Sequence, residues 1–170
     1  TKAASSWWNL LFPPNQKVVK MFAQNMEVGE AYSQTIEQIL ANGYGYVTSD
    51  TVYFDTSKFP DYGCLAKLDL SGMQVGAGGR AQHQAEKRNQ NDFALWFHNR
   101  PKHLMQWESP WGVGYPGWHI ECSAMAASIF KKYPIDIHTG GVDLRFPHHD
   151  NEIAQSEAYY NCDNWINNFW

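Results

Sequence analysis

The stretch Ile135-Asp136-Ile137-His138-Thr139-Gly140-Gly141-Val142-Asp143-Leu144-Arg145-Phe146-Pro147-His148-His149-Asp150-Asn151-Glu152-Ile153-Ala154-Gln155-Ser156-Glu157 decides the fold class. Residues 135–138 read as a short strand that runs into the glycines after Thr139. Pro147 is a favoured first-turn residue, so a helix is expected to start near it and continue to about Tyr160. Before the strand, a helix is expected from about His119 to Lys132, ended by Tyr133-Pro134. Helix, strand, glycine loop, helix is a piece of a parallel α/β sheet, in which ligands bind at the carboxyl ends of the strands.

Upstream the pattern differs. Tyr32, Ile36, Ile39 and Leu40 recur at helical spacing within residues 28–42, and Gly43 is a natural stop. Residues 44–47 and 51–55 read as two strands joined by Thr48-Ser49-Asp50, a hairpin. Residues 58–91 are polar and glycine-rich and read as a mobile loop region, followed by the apolar Asp92-Phe93-Ala94-Leu95-Trp96. Ser109-Pro110-Trp111-Gly112 and Gly114-Tyr115-Pro116-Gly117 read as turns. The first dozen residues, with Trp7 and Trp8, end at the breaker Pro13-Pro14.

The 170 residues suffice for one domain, or one domain with a sizeable insertion. A net charge of −4 argues against this segment being a main nucleic-acid grip, which is normally basic. Cys64, Cys122 and Cys162 are too few and odd in number for a disulfide framework, so a reducing compartment is expected. No run approaches the roughly 20 apolar residues of a membrane helix, and no secretory signal opens the chain. The expectation is a soluble protein without a membrane partner, cytoplasmic or mitochondrial.

His148 and Glu152 stand four residues apart, one turn apart on one helical face, where an imidazole and a carboxylate can share a Zn2+ ion. The same spacing is more often a surface His–Glu pair. Cys122 shares its helical face with Met125, Ala126 and Ile129, so an inert buried thiol is the commoner outcome. Three ligand types on two helices flanking a glycine loop are a more specific signal, and three protein ligands leave a zinc ion an open position. The loop Thr139-Gly140-Gly141-Val142-Asp143 either lets a nucleotide approach the backbone, with Asp143 near a ribose, or is an ordinary tight turn.

Gly117-Trp118-His119-Ile120-Glu121-Cys122-Ser123-Ala124-Met125 closely resembles the GWHIECSAM segment of cysteinyl-tRNA synthetases. The stretch from Asp136 to Glu157 is similar to the DIHGGG, DL, FPHH and NE-AQSE run of the same family, with Arg145 and Asp150 as in its eukaryotic branch. Asn42-Gly43-Tyr44-Gly45-Tyr46, Val52-Tyr53-Phe54-Asp55, Glu86-Lys87-Arg88-Asn89 and Asp92-Phe93-Ala94-Leu95-Trp96 resemble it too. The resemblance runs from about residue 30 to the end.

The resemblance implies an α/β fold: the second half of a Rossmann-type class I synthetase catalytic domain, with an inserted α+β connective region. Residues 1–107 are then the helical lead and connective insertion, and residues 108–170 the second half of the Rossmann-like domain. It implies a Zn2+ held by Cys122, His148 and Glu152, Trp118 and His138 lining a cysteine pocket, and Gly140, Gly141 and Asp143 at the adenylate. His149 is expected to orient neighbours. The implied activity is ATP-dependent activation of cysteine, with Mg2+, and its transfer to tRNA(Cys). Zinc takes a thiolate far better than a hydroxyl, which separates cysteine from serine without editing.

The sequence departs from that pattern at several places. Thr139 replaces a glycine, which is strained if the position requires positive φ. Tyr115 stands for an arginine, Phe97 for a lysine and Gln90 for a proline. The family's fourth zinc ligand, a cysteine ahead of its HIGH motif, has no counterpart here, nor do HIGH and KMSKS themselves. The 170 residues alone are therefore expected to be inactive, and to need missing N- and C-terminal parts or a partner protein to complete the fold. A non-catalytic synthetase remnant built into a larger ribonucleoprotein assembly is the alternative. An ATP-dependent cysteine ligase acting on an amino sugar is a third reading, disfavoured by residues 144–157.

Overall fold

A computed structural model describes residues 26–67, 86–98, 103 and 105–169. Helix α1, Met26–Ala41, buries Tyr32, Ile36 and Ile39 on one stripe. Its end is the expected glycine stop. Gly43 takes φ +87°, its N–H bonds Leu40 O, and the Tyr44 N–H reaches back to Ile39 O, closing a Schellman motif.

The expected hairpin is present. Strands β1, Gly45–Val47, and β2, Thr51–Phe54, pair antiparallel with Tyr46 opposite Tyr53. Strand β3, Phe93–His98, extends the apolar stretch foreseen from residue 92 and pairs with β2 through a bulge at Val52/Tyr53. The fourth strand, β4, Gly114–Pro116, corrects the turn reading of that segment. A side chain at Gly114 would stand 2.0 Å from Phe97 O and 2.6 Å from the Trp96 indole nitrogen, so glycine here permits close strand pairing rather than a bend. Pro116 ends an outer strand, where a missing N–H costs little. The sheet is an antiparallel meander in the order β1-β2-β3-β4.

Around residues 58–91 the reading is also corrected in part. Phe59 and Tyr62 belong to the core, and the buried Asp92 carboxylate accepts from Tyr46 OH, Thr56 N–H and Asn89 N–H at 2.7–2.9 Å. These contacts anchor both flanks of the segment. Residues 68–85, where the mobile-loop expectation also falls, lie outside the described residues, as does the lead over residues 1–25.

Helix α2, Trp118–Phe130, ends at the left-handed Lys131, slightly before the expected Lys132. Residues 135–138 then run parallel to residues 165–169, with bridges Ile135–Ile166 and His138–Phe169. Helix α3, Asp150–Tyr160, connects them, entered through a turn kinked at the extended residue Phe146. Two parallel segments joined by a helix bear out the α/β expectation, although the segments pair only through isolated bridges. One hydrophobic core runs from Tyr32 and Ile36 through Phe54, Leu95 and Trp96 to Ile120, Ala124, Ala154 and Ala158. It is shared by residues on both sides of position 107. Among the described residues no helix is long and apolar enough to cross a membrane.

Candidate metal centre

Gly117 ties the start of α2 to the sheet through its N–H to Leu95 O at 2.8 Å. Cys122 lies one turn further on and faces the start of α3. There His148, His149, Asp150, Asn151 and Glu152 form five consecutive buried polar residues, a costly arrangement unless each finds a partner.

Cys122 Sγ stands 3.7 Å from His148 Nε2, and His148 Nε2 stands 3.0 Å from Glu152 Oε1. The three ligand atoms all lie within 4.8 Å of one another. Tetrahedral zinc separates a sulfur–nitrogen pair by about 3.6 Å and a nitrogen–oxygen pair by about 3.3 Å, given ordinary bond lengths. Glu152 is 1% exposed, and its Oε1 makes no hydrogen bond. A buried carboxylate oxygen left over at the Cys122–His148 corner fits a cation there. His138, His149 and Glu152 form a second close group. In it His138 Nε2 lies 2.5 Å from Glu152 Oε2, a direct hydrogen bond with no room for an ion between.

Glu152 is thus hydrogen-bonded to His138 through one oxygen, while the other faces His148 and Cys122. Burial raises its pKa, but the His138 hydrogen bond and the neighbouring imidazoles outweigh that and hold it below the usual carboxylate value. Burial, followed by the facing Glu152 charge, pushes the Cys122 thiol up to about 12. The metal-free thiol is therefore protonated at neutral pH, and a bound cation has to displace that proton.

His148 Nδ1 lies 2.8 Å from His119 Nδ1. When His148 Nε2 is a ligand, its proton sits on Nδ1 and is donated to His119, which then carries its own proton on Nε2. Burial, and then His148, lower the His119 pKa to about 4, so the ring is neutral and able to accept. Trp118, 59% exposed, stacks on the His148 ring at 4.6 Å and screens it from solvent. The sequence reading gave His119 no part of its own, although it lies three residues before Cys122 on the same helix.

The glycine loop reaches this centre through His149. A side chain on Gly140 would stand 2.3 Å from His149 Nε2, so the bare backbone makes room for that ring. Gly141 precedes a single 3-10 turn, Val142–Leu144, and Asp143 Oδ1 folds back over it. Gly140, Gly141 and Asp143 are all exposed. Thr139 is unstrained, since the only described non-glycine residues with positive φ are Lys67, Lys131 and Asn161. Phe97 and Tyr115, two separate departures in sequence, are cross-strand partners with ring centroids 5.1 Å apart. Cys64 is exposed.

Residues 14–170 match the family described as tRNA synthetases class I (C) catalytic domain. The cytoplasmic cysteine–tRNA ligase of Xenopus laevis is 52% identical over 145 residues, which cover 79% of this chain and 19% of that relative. The cytoplasmic enzyme of Homo sapiens is 50% identical over the same shares. The cysteine–tRNA ligase of Chlorobaculum tepidum is 50% identical over 124 residues, 72% of this chain and 25% of that relative. The chain spans about a fifth to a quarter of the length of these curated relatives.

Proposed function

Because the chain belongs to the class I (C) tRNA synthetase catalytic-domain family, we propose that it supplies the cysteine-selecting part of a cysteine–tRNA ligase. The observation that carries this reading is the convergence of Cys122 Sγ, His148 Nε2 and the buried Glu152 Oε1 on one corner. These three would hold Zn2+, which when bound offers the substrate thiol a soft ligand site that a serine hydroxyl does not match.

The chain's own residues do the positioning. His119 holds the His148 tautomer, His138 fixes the second oxygen of Glu152, and Trp118 covers the ligand imidazole and lines the pocket. Gly140, Gly141 and Asp143 lie on the loop after residues 135–138, at the carboxyl end of a parallel segment, where the adenylate formed from ATP and Mg2+ is placed in this reading. Residues 108–170 act as the second half of a Rossmann-like catalytic domain, and residues 1–107 as its helical lead and connective insertion. Cysteine, ATP and tRNA(Cys) are the substrates, and the compartment is cytoplasmic, as named for the vertebrate relatives. The 170 residues carry neither HIGH nor KMSKS and are inactive in cysteine-dependent pyrophosphate exchange on their own; turnover by them would refute that part.

The test is zinc content with ligand choice. Protein purified without chelators should hold about one zinc per chain, and should retain cysteine but not serine in equilibrium dialysis. Loss of cysteine retention on zinc removal supports the reading. A zinc-free protein, or equal retention of serine, refutes it.

A further inference from the structure

Of the five buried polar residues around the start of α3, three serve the metal corner and its glycine loop. Asp150 and Asn151 turn elsewhere, toward residues 62–67 of the connective region. The Tyr62 hydroxyl donates to Asn151 Oδ1 at 2.5 Å, and the Leu65 N–H donates to Asp150 Oδ1 at 3.1 Å. Arg145 Nε donates in the opposite sense, to Leu65 O at 2.8 Å. The segment is gripped from both sides of the kink at Phe146. Tyr62 is itself fixed, stacked on Phe93 of β3 at 6.1 Å and set edge-on to Phe146 at 6.5 Å.

Helix α3 needs such a grip. Neither His149, which precedes its first residue, nor Leu144 at the head of the turn before it makes a side-chain cap hydrogen bond. An uncapped helix start frays unless tertiary contacts hold it. His148 ends the turn that leads into α3 and Glu152 lies in the first turn of the helix, with Asn151 adjacent to Glu152, so any slip here swings both ligand atoms away from Cys122.

We propose that residues 62–67 form a strap that positions the metal centre, with Tyr62, Asn151 and Arg145 as positioning residues that aim His148 and Glu152 at Cys122. This rests on the zinc reading above. The strap makes the metal geometry depend on the connective region, some eighty residues away in sequence, rather than on α2 and α3 alone.

Tyr62→Phe removes one oxygen and keeps both ring contacts. Arg145→Met acts on the exposed side and leaves the core untouched, so it stays informative if the first variant folds poorly. In protein made from the complete coding sequence, three quantities are compared with wild type: zinc affinity by chelator competition, the visible spectrum of the Co2+-substituted protein, and the thermal midpoint. Both variants should bind zinc on the order of 10-fold more weakly, as outer-shell losses do, with altered cobalt bands. A lowered thermal midpoint with unchanged zinc affinity and cobalt spectrum makes the strap merely structural and overturns the proposal. A wild-type protein that binds no zinc overturns the metal reading and the strap together, and is told apart by the wild-type measurement alone.

Discussion

Glu152 presents one oxygen to His138 and the other to Cys122 and His148, which makes its charge more telling than its shape. Glu152→Gln keeps the volume and an acceptor but removes the anion, and should weaken zinc binding by more than about 100-fold, beyond typical outer-shell losses. Metal analysis after dialysis against a weak chelator measures this. His119 acts one step out. His119→Phe fills the same space without a nitrogen for His148 Nδ1, and is expected to weaken zinc binding about 10- to 100-fold while the fold persists. Unchanged zinc affinity in that variant would remove His119 from the centre.

At the scale of elements, β3 and β4 show how two departures from the family pattern become one. Phe97 and Tyr115 replace expected cations, yet stand opposite each other in register, and Tyr115 also stacks on His103 at 3.6 Å. Adjacent cations would repel, whereas facing aromatic rings attract by about 0.5–1 kcal/mol. A double-mutant cycle with Phe97→Ala and Tyr115→Ala should return a coupling energy in that range by chemical denaturation; additive losses would contradict it. Helix α2 shows the same dependence on the sheet: Gly117 lets Ala94 O and the helix start come so close that a side chain there would lie 2.1 Å from that oxygen.

For the whole molecule, α1, α2 and α3 pack together and share their core with the sheet, so the candidate metal corner between α2 and α3 is built on that core rather than on a detachable module. A ligand that binds only the folded state stabilises it by about 2.7 kcal/mol at a free concentration of 100 times its Kd. If the proposed centre holds Zn2+, chelating it should therefore lower the thermal midpoint by about 5–10 °C for a domain of this size. Re-addition of Zn2+ should restore the midpoint, and Mg2+ should not. A midpoint indifferent to chelation would mean that the three ligands hold no structural metal.

The sequence by itself determined what depends on local rules and on the pattern of residues: the Gly43 helix stop, the β1–β2 hairpin, the spans of α1 and α2, and the family. Helical spacing also placed His148 and Glu152 on one face, since that relation is internal to one turn. Contacts between distant segments were not legible, because no local propensity records them. Gly114 and Pro116 read as a turn until Phe97 and Trp96 were seen to require a bare backbone beside them. The family resemblance already implied that Cys122 and His148 share a site, whereas tertiary structure alone decided that His138 bonds Glu152 and that residues 62–67 hold the start of α3. Each of these is a match between surfaces far apart in the chain, and only packing brings them within hydrogen-bonding or ligand distance.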